Sequence, residues 1–237
     1  ANGDLDFTLA ADANGTVTFE VSVQDDGGTA NGGDDLSPRQ TFTITIDPVN
    51  DEPSFTASNV TVDEDAGAQP ISNWASFTAG PANESSQGVQ GYTVSNITNG
   101  SLLASGPTVD NDGELTFEPA TDANGTVTFE VSVQDDGGTA NGGDDTSPTQ
   151  TFTITIDPVN DEPSFTASNV TVDEDAGAPS ISNWASFTAG PANESGQSEQ
   201  RYIVSNVSNG ALLSTGPSIN ANGDLDFTLA ADANGTV

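Results

Sequence analysis

A chain of 237 residues with 36 acidic side chains against two basic ones, Arg39 and Arg201, carries a net charge of −34 and has neither Lys nor His. That balance excludes nucleic acid and anionic membrane surfaces as partners, because both are bound through clustered cations. Cys is absent, which removes disulfides and thiolate metal sites, and an uncompensated charge of this size strains a compact fold unless bound cations or high external salt relieve it.

The chain copies itself. Asp12–Asp35 recurs unchanged as Asp122–Asp145, Gln40–Ala68 as Gln150–Ala178 and Ala1–Val17 as Ala221–Val237, a period of 110 residues. One period has the size of a domain with its own core. Cutting at the recurring Val-Asn-Asp-Glu-Pro run makes residues 1–52 the C-terminal part of one repeat, 53–162 a complete repeat and 163–237 the N-terminal part of the next. The expectation is a window on a longer array, with no membrane-inserting segment in it. A single reaction does not need a site every 110 residues, whereas a spacer or an avidity surface does.

Within the complete repeat, taken in chain order, the patterning predicts strand A around Val60 and Val62, B over Ile71–Phe77 and C over Tyr92–Ile97. It then predicts D over Leu102–Val109, E over Leu115–Phe117, F over Thr126–Val133 and G over Thr151–Ile156. F reads TVTFEVSV, with Val127, Phe129, Val131 and Val133 on one face, and Phe152, Ile154 and Ile156 alternate in the same way along G. Asn-Gly, Asp-Gly and Gly-Gly turns separate the segments, and none shows a helical period. This predicts an all-β fold of tandem seven-stranded Greek-key β-sandwich domains, Ig-like in architecture, joined by short acidic linkers. Trp74 and Phe77 read as core anchors, with sugar stacking the alternative for Trp74.

If the strands alternate in direction, the A–B loop with Asp63, Glu64 and Asp65, the E–F loop with Asp122, and the outgoing linker with Asp157, Asn160 and Asp161 share one end. The B–C loop with Glu84, the D–E turn with Asp110 and Asp112, and the F–G loop with Asp135, Asp136, Asp144 and Asp145 share the other. Two such ends placed together repel unless a divalent ion sits between them.

The run DANGTVTFEVSVQDDGG from Asp122, followed by TFTITIDPVNDEPSF from Thr151, resembles the second half of a cadherin repeat, and VTVDEDAG from Val60 resembles the segment near the start of that domain. More closely, the chain is similar to the cadherin-like tandem extender repeats of large bacterial calcium-dependent surface adhesins of the RTX type. The resemblance covers essentially the whole chain. It implies that linker and facing domain ends bind Ca²⁺. Carried over to this sequence, it implies Asn160 and Asp161 with their copies Asn50 and Asp51, Glu64 and Glu174, Asp135 and Asp25, and Asp122 and Asp12 as ligands. The neighbouring Asp47, Asp157, Asp110, Asp112 and Asp136 complete the candidate metal set. Ca²⁺ suits these hard oxygens, and zinc is disfavoured without His or Cys.

The chain also departs from the pattern. Asp157 lies three residues before Asn160, TDANG lacks a second acidic residue, and Asn220 and Asn222 replace Asp110 and Asp112 in the third copy. Asp and Asn clusters in sandwich loops also make Asx turns, and an acidic surface also suits a saline habitat.

No catalytic set is present, since there is no His, Cys or phosphate loop and the carboxylates recur at domain ends. The expectation is a structural extender of a bacterial surface adhesin or surface filament, extracellular and stiffened by interdomain calcium. The tip ligand lies outside this window. The alternative is a calcium-dependent carbohydrate- or protein-binding module acting by avidity. Partners are neighbouring repeats, and the missing strands of the two partial copies are complementary, which suits head-to-tail self-assembly.

Overall fold

The computed structural model describes residues 3–237, and the regular structure among them is all-β, interrupted only by short 3₁₀ turns. In chain order the strands are β1 Gly15–Val21, β2 Gln40–Ile46, β3 Ser54–Thr56, β4 Val60–Asp63, β5 Gln69–Ile71, β6 Ser76–Thr78, β7 Val89–Thr98 and β8 Leu103–Val109. They continue with β9 Leu115–Pro119, β10 Gly125–Asp135, β11 Gln150–Asp157, β12 Ser164–Thr166, β13 Ser180–Ile181, β14 Ser186–Thr188, β15 Leu213–Ile219 and β16 Leu225–Leu229. One sheet has the order β4-β11-β10-β7, a second β5-β9-β8 and a third β13-β16-β15, with two-stranded ladders β1-β2, β3-β6 and β12-β14.

The segment expected as a single strand B is divided. Ile71 ends β5, which joins β9, while Phe77 lies in β6 and faces Phe55 of β3. Between them Asn73 adopts φ 55°, a left-handed conformation that ends an extended run. The Ala75 N–H donates to the Gly113 carbonyl at 3.0 Å. Gly113 has φ 78°, and a Cβ there would lie 2.3 Å from the Ala75 carbonyl oxygen, so the close approach that splits the strand requires glycine.

The chain divides into two compact units. One comprises Ala1–Val60, Ala68–Glu118 and Thr126–Thr155, and the other Thr61–Gly67, Pro119–Gly125 and Ile156–Val237. In the first unit, period-two alternation along β10 and β11 buries Val127, Phe129, Val131, Val133, Phe152 and Ile154. Trp74, 8% exposed, sets its ring edge-on to Phe152 with centroids 4.8 Å apart and lies 5.9 Å from Phe129. Its indole N–H donates to the Ser58 carbonyl at 2.7 Å, so the one polar atom of the ring is satisfied. Phe55 extends the cluster to Tyr92 at 5.7 Å. The β1-β2 ladder has the same sequence as the first seven residues of β10 and of β11, with Gly15 facing Ile46 and Val21 facing Gln40. Phe42 there is 45% exposed against 6% for its copy Phe152. Alternation selects the face; neighbouring strands bury it. In the second unit Phe165 of β12 faces Phe187 of β14, and Ala185, Ala189 and Leu225 are buried.

Trp74→Ala is expected to cost about 3–5 kcal/mol of folding stability, as for other large buried aromatics. Trp184→Ala, at a half-buried ring, should cost less. Denaturant unfolding followed by circular dichroism checks this, and a loss below about 1 kcal/mol for Trp74→Ala would show that the ring does not anchor the core.

Candidate metal centre

The second unit gathers acidic side chains around the linker Asp157–Glu162. The linker backbone is capped by two glutamates. The Val159 N–H donates to Glu64 Oε1 at 2.8 Å, and the Asp161 N–H donates to Glu194 Oε1 at 2.8 Å. Both glutamates are buried, Glu64 at 2% exposure and Glu194 at 6%. Glu194 closes the short 3₁₀ turn Ala192–Glu194, and its copy Glu84 makes the same bond to the Asp51 N–H, also at 2.8 Å. Gly190 makes room for this carboxylate: it has φ 155°, and a Cβ there would lie 2.2 Å from Glu194 Oε2.

Beside these caps, carboxylate oxygens of Asp65, Asp122 and Asp161 all lie within 4.8 Å of one another. Asp65 and Asp122 sit at φ 60° and 55°, conformations that Asp tolerates better than most residues. The Asp122 N–H donates to Asp65 Oδ1 at 3.0 Å, which holds the two loops in register. Partial burial raises the Asp122 carboxyl above its ordinary range, with Asp65, Glu64 and Glu194 adding to the shift. The Asp161 carboxyl is raised by partial burial and by Glu194, Asp122, Asp65 and Glu64. The basic side chains do not answer this charge. Arg39 pairs with Glu20 at an exposed position, and Arg201 is the remaining cation of the chain. Asp161 Oδ2 and Glu194 Oε2 are buried without a hydrogen-bond partner. Buried carboxylate oxygens left bare among like charges suit a cation. An all-oxygen donor set selects a hard divalent ion such as Ca²⁺.

The other residues singled out from the sequence fall in several places. Asp157 uses its backbone carbonyl to accept the Glu64 N–H at 2.9 Å, and its side chain is exposed. Asn160 is exposed and donates to the Asp161 carbonyl. In the first unit, its copy Asn50 is buried and donates to Asp135 Oδ1 at 3.0 Å and to the Asp144 carbonyl at 2.7 Å. Asp135 Oδ1 also accepts the Gly137 N–H, and Asp136 Oδ1 accepts the Gly88 N–H, so both carboxylates hold loops together. Asp110 Oδ1 accepts the backbone N–H groups of Asp112 and Glu114, a turn closed on itself. Asp12, Asp47, Asp51 and Glu174 are exposed. Asp25 is exposed too and accepts the Gly27 N–H. Of the fifteen candidates the structure therefore brings Asp122, Asp161 and Glu64 to one place. It adds two that the family pattern does not select, Asp65 and Glu194. The recurring Gly-Pro-Ala-Asn-Glu at Gly80–Glu84 and Gly190–Glu194 is the signal that points to the latter.

No protein-family model matches the chain. A search of curated proteins also finds no match.

Raised carboxyl values give a signed pH dependence. Because Asp122 and Asp161 hold protons more readily folded than unfolded, ionising them costs the folded state; that cost is present at neutral pH and fades on acidification toward the ordinary carboxylate range. In chelator at pH 7, Asp122→Asn is expected to raise the melting midpoint, with the gain disappearing by about pH 4. With Ca²⁺ present the same substitution should lower it. Scanning calorimetry reads both, and a change of the same sign in both conditions would contradict the assignment.

Proposed function

We propose that this chain is a run of structural extender repeats of a bacterial surface adhesin or surface filament, each a Greek-key β-sandwich, with calcium at the linker stiffening the joint between repeats. The observation that carries this reading is the convergence of Asp65, Asp122 and Asp161 with the unpartnered oxygens of Asp161 and Glu194 at a linker without a cationic side chain. The sheet orders support the sandwich: β11-β10-β7 corresponds to G-F-C and β5-β9-β8 to B-E-D, which immunoglobulin-like domains also keep in separate sheets, while β4, strand A, joins the G edge rather than B. The 110-residue period supports the spacer.

In this reading Asp65, Asp122, Asp161 and Glu194 Oε2 hold the ion, which supplies the positive charge that the side chains lack. The chain's own contribution is placement. Glu194 Oε1 fixes the Asp161 backbone, while Asp65 Oδ1 fixes Asp122. Burial of Trp74 favours the spacer over a carbohydrate-binding module, since a sugar platform needs an exposed ring. Among the described residues no helix is long and apolar enough to cross a membrane.

Calorimetric titration of the 237-residue chain with Ca²⁺ tests the site. Binding is expected with a dissociation constant on the order of 10⁻⁶–10⁻³ M. Asp161→Asn and Gly190→Ala should each weaken it roughly tenfold or more, the first by removing a ligand and the second by displacing Glu194. Heat signals absent from the wild-type chain would overturn the metal assignment.

A further inference from the structure

The two buried glutamates of the linker differ in what is left over on each. Glu194 has one oxygen engaged and one bare, whereas Glu64 is saturated. Glu64 Oε1 accepts the Val159 N–H at 2.8 Å and the Asn193 side-chain amide at 3.3 Å. Glu64 Oε2 accepts the same Asn193 amide at 3.2 Å and the Asn124 amide at 3.1 Å. Its own N–H donates to the Asp157 carbonyl at 2.9 Å. A carboxylate offers about four lone-pair directions, and here four donor contacts fill them. The donors come from the E–F loop, from the linker and from the 3₁₀ turn of the following repeat.

We infer that Glu64 is a positioning residue that clamps the joint without a cation, and that Asn193 is the side chain through which the next repeat engages it. The third copy supplies a comparison within the molecule. Glu174, the counterpart of Glu64, is exposed, and the bond it receives is that of Asn234, counterpart of Asn124, at 3.4 Å. The E–F loop bond thus recurs by itself, and the burial of Glu64 accompanies the linker and Asn193 contacts. Asn193 precedes Glu194 directly, so one short turn presents a donor to the preceding repeat's glutamate and an acceptor to the linker backbone. The Asn-Glu pair recurs at Asn83 and Glu84, where Glu84 Oε1 again accepts a linker N–H, that of Asp51. Buried charge held by neutral donors stiffens a joint because every donor must be released together when it opens.

This inference stands apart from the calcium reading, because it is tested in chelator. Hydrogen exchange of the Val159 backbone amide is followed by NMR in the full chain with EDTA at pH 7, with the Phe129 and Ile154 amides as a check that the core is intact. Asn193→Ala and Glu64→Gln should each speed Val159 exchange roughly ten- to hundredfold, the size expected from a hydrogen bond to a charged group. The exchanged pair Glu64→Gln with Asn193→Asp conserves size and net charge and turns the donor–acceptor pair around. It should bring the rate back to within about threefold of wild type, the non-additivity of a direct interaction. Val159 exchange unchanged by Asn193→Ala, or no recovery in the exchanged pair, would overturn the clamp. Absent calcium binding would leave it standing.

Discussion

Like charges brought together without a cationic side chain to answer them are the condition on which the linker depends. Asp65, Asp122 and Asp161 present oxygens within 4.8 Å of one another, with Glu64 and Glu194 beside them. Such a grouping opposes folding unless an ion offsets it. The strands hold it in place nonetheless. β4 runs directly into Glu64 and Asp65, the loop before β10 carries Asp122, and β11 leads into the linker with Asp161. An arrangement that the protein side chains alone leave unbalanced is therefore built by the most regular part of the fold.

The polar contacts divide the work between acceptors that are filled and acceptors that are not. Asp135, Asp136 and Asp110 accept backbone N–H groups and close loops. Glu64 gathers linker, loop and turn. Asp161 and Glu194 each retain a buried oxygen with no partner. Acidic composition by itself does not distinguish these cases, since an exposed carboxylate, a turn-forming one and a ligand look alike in a sequence; the donor each one faces decides.

Much of the fold was legible because burial follows period two. Val127, Phe129, Val131 and Val133 alternate with polar residues, and all are buried. The division of the segment 71–77 was not legible, because it arises from Asn73 in a left-handed conformation and from Gly113 approaching Ala75, a residue far away in the chain. Nor does patterning say whether a face is covered, as Phe42 and Phe152 show with the same local sequence and different exposure. At the linker, alternating strand directions put Asp65, Asp122 and Asp161 at one end, and the cadherin-like motif singled out Asp122 and Asp161 but not Asp65, one residue beyond its glutamate. The copy of Glu194, Glu84, was legible at a domain end, but nothing local marks a glutamate in a polar loop as buried; its role appears once Asp161 and Gly190 are seen against Glu194.

The central claim, that a divalent cation converts a repelling joint into a rigid one, is tested most directly by small-angle scattering of the 237-residue chain with Ca²⁺ and with EDTA, at one ionic strength near 0.15 M so that general screening is held constant. The account predicts a normalised Kratky profile that changes from that of flexibly linked bodies in EDTA to that of a single rigid particle in Ca²⁺, and reverts in Asp161→Asn. Superimposable profiles in the two conditions, with calcium binding present, would contradict it.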